Sequence, residues 1–557
     1  MKKFAAATLA LLIAFSLVGC DSFGSGGRKT RTRHHDSDDE EETEDTEETE
    51  ETEATEETIE PEITEETEPT ETEATPAPTE PIKEDGLFIP YTIVEDYDYY
   101  YNSNEDLDEY YSCYYDISSI RISKDWGLPL LADTVNAEME NREQYYREVY
   151  ENEIAEIERN IQDGSPAYSM SQTSKIKMFR ADACVLSYVY DNYYYSGGAH
   201  GSYGYSGETY DPLSGEILKI EDIADNDKLY EATLDYLAQT YSSGETLYED
   251  YEDSVKAYFY DYEAGMNYNF VVTYDGLMLF FNPYELAPYA VGMIRVYIPY
   301  EGHESIFKRD LWTGAPENQI RPFDYFYDYE TGIPTYSICQ DIDNDSVIDY
   351  IAITSELSDN YGYDAISINI NGEGIPVEDF WGYSVDPYLL YKDGKVYVMI
   401  LTTTDNDYSL TYLYEIKNCE IVSSSENSGR PLSMINPDDF QVYSTIQSVG
   451  TRSAIQTCKI NSKGEIEALD NIYTITGNTE LPTVVDINGK DVNTGKDVTI
   501  KSGSVLKFVA TDNETFARFE DEKGNLIDVD FDNTYPQTLD GKDLVECFEE
   551  GAIVYAG

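Results

Sequence analysis

Tyr193-Tyr194-Tyr195-Ser196-Gly197-Gly198-Ala199-His200-Gly201 is the stretch around which the folded part of this chain is organised. A strand-like run, Ala183 to Tyr190, precedes it, and a second punctuated stretch, Tyr210-Asp211-Pro212-Leu213-Ser214-Gly215-Glu216, follows. Three glycines in five residues demand positive φ or the close approach of another segment, which places the stretch at the centre of its domain. His200 is one of only four histidines. In a glycine-rich turn a histidine ordinarily bonds the backbone and fixes the loop. To act as a general base it would need an orienting acid and a nucleophile. Asp211 and Asp222 are acids within reach in sequence, but no catalytic constellation is evident, so no residue is assigned a catalytic role.

Outward from this stretch, helical and extended patterns alternate. Residues 110–122 read as a strand rich in tyrosine and isoleucine. Pro129 fits a helix start. Leu131, Val135, Met139, Tyr146, Val149, Ile154, Ile157 and Ile161 then recur at helical spacing until Asp163-Gly164, with Arg142, Glu143, Arg147 and Glu148 on the charged face. Strands are expected at 175–180, 270–273, 277–281 and 293–298, with Asp275-Gly276 turning a hairpin, and helices at 227–241 and 247–260. Residues 87–312 thus form an α+β unit, a sheet covered by helices.

Several of these segments form an ordered set: Tyr195 to Gly201, Asp211 with Ser214-Gly215-Glu216, Ile220-Glu221-Asp222-Ile223, Asn282-Pro283-Tyr284-Glu285-Leu286-Ala287-Pro288-Tyr289-Ala290-Val291-Gly292, and Val296 to Tyr300. Over about 100–312 the chain resembles the extracellular domain shared by RsiV-type lysozyme-sensing anti-sigma factors and PdaC-type peptidoglycan deacetylases. The resemblance implies a binding domain whose family-motif loop comprises Gly197, Gly198, His200 and Gly201, with lysozyme or a wall component as ligand. Neither a cytoplasmic anti-sigma segment nor a deacetylase domain is expected beside it, so release of a sigma factor is not the expected role.

Residues 318–475 read as all-β. Asp341-Ile342-Asp343-Asn344-Asp345-Ser346-Val347-Ile348-Asp349 alternates oxygen donors. Asp341, Asp343, Asp345 and Asp349 therefore form either a Ca²⁺ loop or an acidic hairpin turn. Position 12 is Ala352, so this is no EF-hand. It resembles the loop of FG-GAP-type propeller blades, with Ser346 where glycine is usual. Strands are expected at 350–355, 365–370, 388–391, 395–403 and 410–416, with a tight turn at Asp393-Gly394. Residues 476–557 read as short strands loosely resembling an SH3-like barrel. The expected fold class is multidomain: an α+β RsiV-like domain, then an all-β region, propeller-blade-like plus a small SH3-like barrel.

The N-terminus sets the location. Lys2-Lys3 precedes an apolar run, Phe4 to Val18, of signal-peptide rather than bilayer length. Leu17-Val18-Gly19-Cys20 resembles a bacterial lipobox, which implies that 1–19 is cleaved as a lipoprotein signal peptide and that Cys20 carries lipid. The protein is then expected at the cell membrane, anchored on its extracytoplasmic face. Residues 20–86 form the tether. Its Thr/Glu/Pro-rich part, 36–85, holds 25 acidic residues against Lys83 alone and lacks the apolar periodicity a core requires. The whole chain of 557 residues has a formal net charge of −75, most of it beyond the tether. Nucleic acid is therefore a poor partner, and cationic proteins or Ca²⁺ suit better. Fifty-three tyrosines against 19 phenylalanines suit sheets and wet binding surfaces.

Besides Cys20 there are six cysteines, an even number in an oxidising location. Cys113 and Cys184 form one pairing, with three arrangements open to Cys339, Cys419, Cys458 and Cys547; free buried thiols are the alternative. The expected function is a non-catalytic surface lipoprotein that binds lysozyme, another cationic protein or peptidoglycan. The alternative is a wall-directed glycan hydrolase using paired carboxylates.

Overall fold

The computed structural model describes residues 88–557 except 105–108, 165–167, 198–199, 242–245, 261–268, 310, 312–315, 329–332, 341, 343–348, 358–361, 378, 406–407, 478 and 556–557. The signal-like run, Cys20, the tether, Gly198, Asp341, Asp343 and Asp345 therefore lie outside the described residues. The described chain is β-rich and built from several sheets.

The first sheet has the order β1-β2-β3-β4-β5, comprising Thr92–Asn104, Glu109–Arg121, Met170–Ala181, Leu186–Tyr195 and Ser202–Tyr210. β2 and β3 are parallel, so the chain must cross over between them, and α1 (Pro129–Asp163) is the crossover. Its ends are those the sequence predicts. Pro129 opens it, and Gly164 closes it at φ 66, its N–H donating to the carbonyls of Asn160 and Ile161. Leu131, Val135, Met139, Tyr146, Tyr150 and Ile157 are buried along one side.

The expected charged face of α1 is different in kind. Arg142 turns inward and donates to the carbonyls of Ser118 at 2.7 Å and Ser174 at 2.8 Å, its guanidinium 4.3 Å from the Tyr190 ring centre. Arg147 pairs with Asp96 and Glu143 with Arg121. A long stem lets a residue at the edge of the apolar stripe carry its charge onto the sheet. β1, rich in Asp, Glu and Tyr, was not expected as a strand, because its acids mask the alternation.

The glycine stretch is the turn of the β4–β5 hairpin, whose register runs from Leu186↔Tyr210 to Tyr194↔Ser202. It lies at the end of the sheet, not at the domain's centre. β6 (Phe270–Val272), β7 (Gly276–Phe281) and β8 (Ile294–Pro299) form a second sheet with the expected turn at Asp275-Gly276. Helices α2 (Asn226–Thr240) and α3 (Tyr251–Tyr260) share a core with it that includes Leu229, Leu237, Phe259, Leu279 and Val296. β6 packs directly on β5. A Cβ on Gly207 would stand 2.2 Å from the Phe270 carbonyl oxygen, so only glycine admits this approach.

Arg180, at the end of β3, is fully buried. Its Nε bonds Asp182 at 2.7 Å, and its two terminal nitrogens donate to the carbonyls of Thr273 at 2.9 Å and Leu311 at 2.6 Å. Asp182 in turn accepts from the backbone N–H groups of Cys184 and Val185. One side chain thus joins the first sheet, the β6–β7 turn and the exit of the α+β region.

Beyond it, β10 to β14 (Asp324–Asp328, Ile333–Gln340, Asp349–Leu357, Tyr363–Ile370, Glu373–Val377) make an antiparallel meander. β9 (Gln319–Pro322) joins β15 to β18 (Asp386–Lys392, Lys395–Thr403, Ser409–Lys417, Glu420–Ser428) in the order β18-β17-β16-β15-β9. The two sheets share one core, with Ile353, Ile368, Leu389, Val398 and Ile400. Leu390, Met399, Leu401 and Leu413 point the other way, into a core with Met434, Phe440 and Ile460. The middle sheet is buried on both faces, which explains the nearly unbroken apolar run at 395–401.

The last sheet begins with β19, β20 and β21 (Arg430–Leu432, Phe440–Gln447, Thr451–Ile460). It continues through Tyr473–Ile475 into Val505–Thr511, Phe516–Glu520 and Leu526–Asp532. The expected small barrel does not close; its strands extend this open sheet instead.

The α+β and β-rich regions are stitched together. Ser433 accepts from the Tyr91 hydroxyl on its carbonyl and from the Met178 N–H on its Oγ, while Ile435 enters the core of the first sheet. Arg321 pairs with Asp275 at 2.9 Å and lies over the ring of Tyr274. Cys113 is a buried thiol 3.5 Å from a Glu153 oxygen and is not bridged to Cys184; Cys458 and Cys547 are also buried free thiols.

Replacing Arg180 with Met strands Asp182 and two carbonyls. The expected loss is about 3–5 kcal/mol in urea unfolding, with part recovered in the Arg180→Met/Asp182→Asn double variant. A loss below about 1 kcal/mol would show that the network is not a structural anchor.

Candidate functional site

The two motif segments, the β4–β5 turn and Asn282 to Gly292, meet at one end of the first sheet. Asn282 makes the junction. Its Oδ1 accepts from the Tyr205 N–H at 2.8 Å, and its Nδ2 donates to the Tyr205 carbonyl at 3.1 Å. The amide thus pairs with β5 as a neighbouring strand would. Gly204 leaves room for it, since a Cβ there would lie 2.7 Å from Asn282 Oδ1.

The chain then turns sharply. Tyr284 N–H donates to the Ala287 carbonyl, and the Asn282 N–H donates to the Glu285 carboxyl at 2.6 Å. Tyr284 is held at φ 73, the left-handed region, and its ring is 55% exposed. For a bulky residue that conformation costs about 1–3 kcal/mol, and such strain concentrates at functional sites. Burial pushes the Glu285 carboxyl up to about 7, partly offset by the Asn282 N–H.

Around Tyr284 the aromatic rings assemble. Tyr289 lies 5.6 Å from it, stacks on His200 at 4.1 Å and meets Tyr203 edge-on at 5.4 Å. The Tyr289 hydroxyl donates to the Gly201 carbonyl at 2.9 Å, which locks the two motif segments together. His200 Nδ1 lies 2.9 Å from that same carbonyl, so the histidine fixes the loop, as the simpler reading of the sequence has it. Tyr193 covers Gly201, where a Cβ would fall 2.6 Å from its ring; Gly197, at φ 84, leaves no room for one beside Tyr168. The result is a partly exposed patch of Tyr193, His200, Tyr203, Tyr284 and Tyr289, a surface suited to stacking and hydrogen bonding.

The acids considered as partners of His200 are engaged elsewhere. Asp211 accepts from the N–H groups of Leu213 and Ser214 and pairs with Arg309, and Asp222 accepts from the Lys219 N–H. Asp349 is buried, receiving the Ile342 N–H and the Asn371 amide on its two oxygens. Among the described residues no group of three His, Cys, Asp or Glu is placed to hold a metal. The roles of Asn282, Glu285 and Gly204 were not expected. Their signal in the sequence is the departure of Gly204 and Gly207 from strand composition.

Residues 221–301 match the family described as "Protein of unknown function (DUF3298)". A comparison with curated proteins finds no match. Two similar solved structures are DUF3298-family proteins. One, from Bacteroides fragilis NCTC 9343, is 17% identical, covers 41% of this chain and 96% of its own length, and has a TM-score of 0.32. The other, from Pseudomonas aeruginosa PAO1, is 16% identical, covers 40% and 98%, and has a TM-score of 0.29.

Because folding raises the Glu285 pKa, its contribution to stability is complete below pH 4.5 and is lost as pH rises through about 7. Glu285→Gln keeps an acceptor for Asn282 and removes the titration. The variant should gain about 2 kcal/mol over the parent at pH 8 and little at pH 4.5, read by urea unfolding. An equal gain at both pH values would contradict this.

Proposed function

We propose that the protein is a lipid-anchored surface protein that binds a ligand through the Tyr284 patch. In this reading residues 87–312 are an RsiV/PdaC-type extracellular domain, held off the membrane by the acidic tether from a lipid on Cys20. The ligand is lysozyme or another cationic or cell-wall partner. The observation that carries the reading is Tyr284, a bulky side chain held exposed on left-handed backbone among four other aromatic side chains. Strained, aromatic, half-wet surfaces are what binding hot spots are made of. The chain's acidity favours a cationic partner by steering its approach. In the β-rich region Ca²⁺ would be held by Asp341, Asp343, Asp345 and Asp349 as a structural ion.

A hydrolase reading has one observation in its favour. Glu208 is held far above the usual carboxylate range by burial and by the neighbouring Glu138, which accepts the Tyr210 hydroxyl at 2.7 Å. That pair lies between α1 and β5, away from the aromatic patch, so binding remains the proposal.

Lysozyme binding to the full chain, measured by calorimetry at physiological salt, tests it. Tyr284→Ala and Tyr193→Ala should each weaken binding tenfold or more, about 1.4 kcal/mol or above. Binding that vanishes with salt, or is indifferent to both substitutions, would refute the patch as its site.

A further inference from the structure

The face of the first sheet opposite α1 is not covered by a helix. It forms one wall of a cleft of about 1060 Å³ whose other wall comes from the β-rich region. Tyr203 belongs both to this cleft and to the aromatic patch, so the two adjoin. The volume lies at the upper end of small-ligand sites.

Its charges are arranged unevenly. Lys175 is paired with Glu95 and with Asp116, and Lys177 stands 3.6 Å from Asp386. Asp98 accepts the Tyr99 N–H and Arg295 reaches the Tyr205 hydroxyl, which leaves two charged side chains of opposite sign without a bond. Among the described residues the side chains of Asp191 on β4 and Arg430 on β19 make no hydrogen bond and no ion pair, and both are open to the cleft water. Both line the same cleft, where burial pushes the Asp191 carboxyl up, Lys177 pulls it down, Asp386 pushes it up, and Arg295 and Arg430 pull it down more weakly. They are too far apart for an ion pair. Tyr97, Tyr99, Tyr114, Tyr205 and Tyr388 line the space around them.

A separated cation and anion between aromatic walls match a ligand that carries both charges. We infer that this cleft binds a short peptide with free ends. Its ammonium sits on Asp191, its carboxylate takes the Arg430 guanidinium in a two-pronged bond, and its side chains lie on the tyrosines. The inference does not depend on the Tyr284 patch binding lysozyme.

The probes are tri-alanine and tri-tyrosine, each free, N-acetylated or C-amidated, titrated into the full chain by calorimetry. Free peptides should bind, tri-tyrosine more tightly, and either blocking group should weaken binding tenfold or more. Arg430→Gln should abolish the preference for a free carboxylate, and Asp191→Asn the preference for a free amine. Arg430→Gln should leave the thermal midpoint unchanged, because its side chain is not bonded in the fold, and Asp191→Asn should hold or raise it, because burial disfavours the ionised carboxyl. Tyr284→Ala should leave peptide binding unchanged, which separates this site from the patch. Failure of both free peptides to bind at millimolar concentration, or equal binding of free and blocked forms, would overturn the inference.

Discussion

The buried guanidinium of Arg180 is the constraint on which the arrangement depends. An arginine with no solvent exposure is tolerable only when its fork is fully occupied, and here Asp182, Thr273 and Leu311 occupy it. Those partners come from β3, the β6–β7 turn and the exit of the α+β region, so meeting the charge also fixes where three segments run. Arg180 lies 5.1 Å from the ring centre of Tyr274, and Arg321 covers the same tyrosine while bonding Asp275. The anchor therefore extends into the β-rich region and aligns the second sheet against β5. Without that alignment Asn282 would not reach Tyr205, and the aromatic patch would not assemble.

The first sheet has two unlike faces. One is packed by α1 through Leu131, Val135 and Met139. The other packs against the second sheet through Phe179, Val189 and Tyr205, and elsewhere carries charges and tyrosines that look into the cleft. Tyrosine fits this role because its body packs while its hydroxyl stays hydrated. That accounts for part of the tyrosine excess without appeal to composition alone. The glycines of β5 serve the same end: Gly204 and Gly207 remove side chains where Asn282 and β6 must come close.

Much of the fold was legible in the sequence where a single periodicity dominates. α1 was readable from its stripe, its proline and its terminal glycine, and the turns at Asp275-Gly276 and Asp393-Gly394 from their residue types. What was not legible depends on partners distant in sequence. β1 looked polar because its acids bond residues on α1 and β3. Arg142 looked solvated because nothing local shows that carbonyls of Ser118 and Ser174 await it. The strands after 476 looked like a separate barrel because they join β21 only through the three-residue strand Tyr473–Ile475, which pairs β21 on one side and Val505–Thr511 on the other. For the site, the glycine loop and the Asn-Pro-Tyr segment were both visible, but their meeting through the Tyr289 hydroxyl was not.

The central claim is that these two segments together form the ligand-contacting face. Hydrogen–deuterium exchange of the full chain with and without lysozyme tests it most directly. The account predicts slowed exchange confined to about residues 193–204 and 282–292, with residues 476–557 unchanged. Protection elsewhere, or none at these segments under saturating lysozyme, would contradict it.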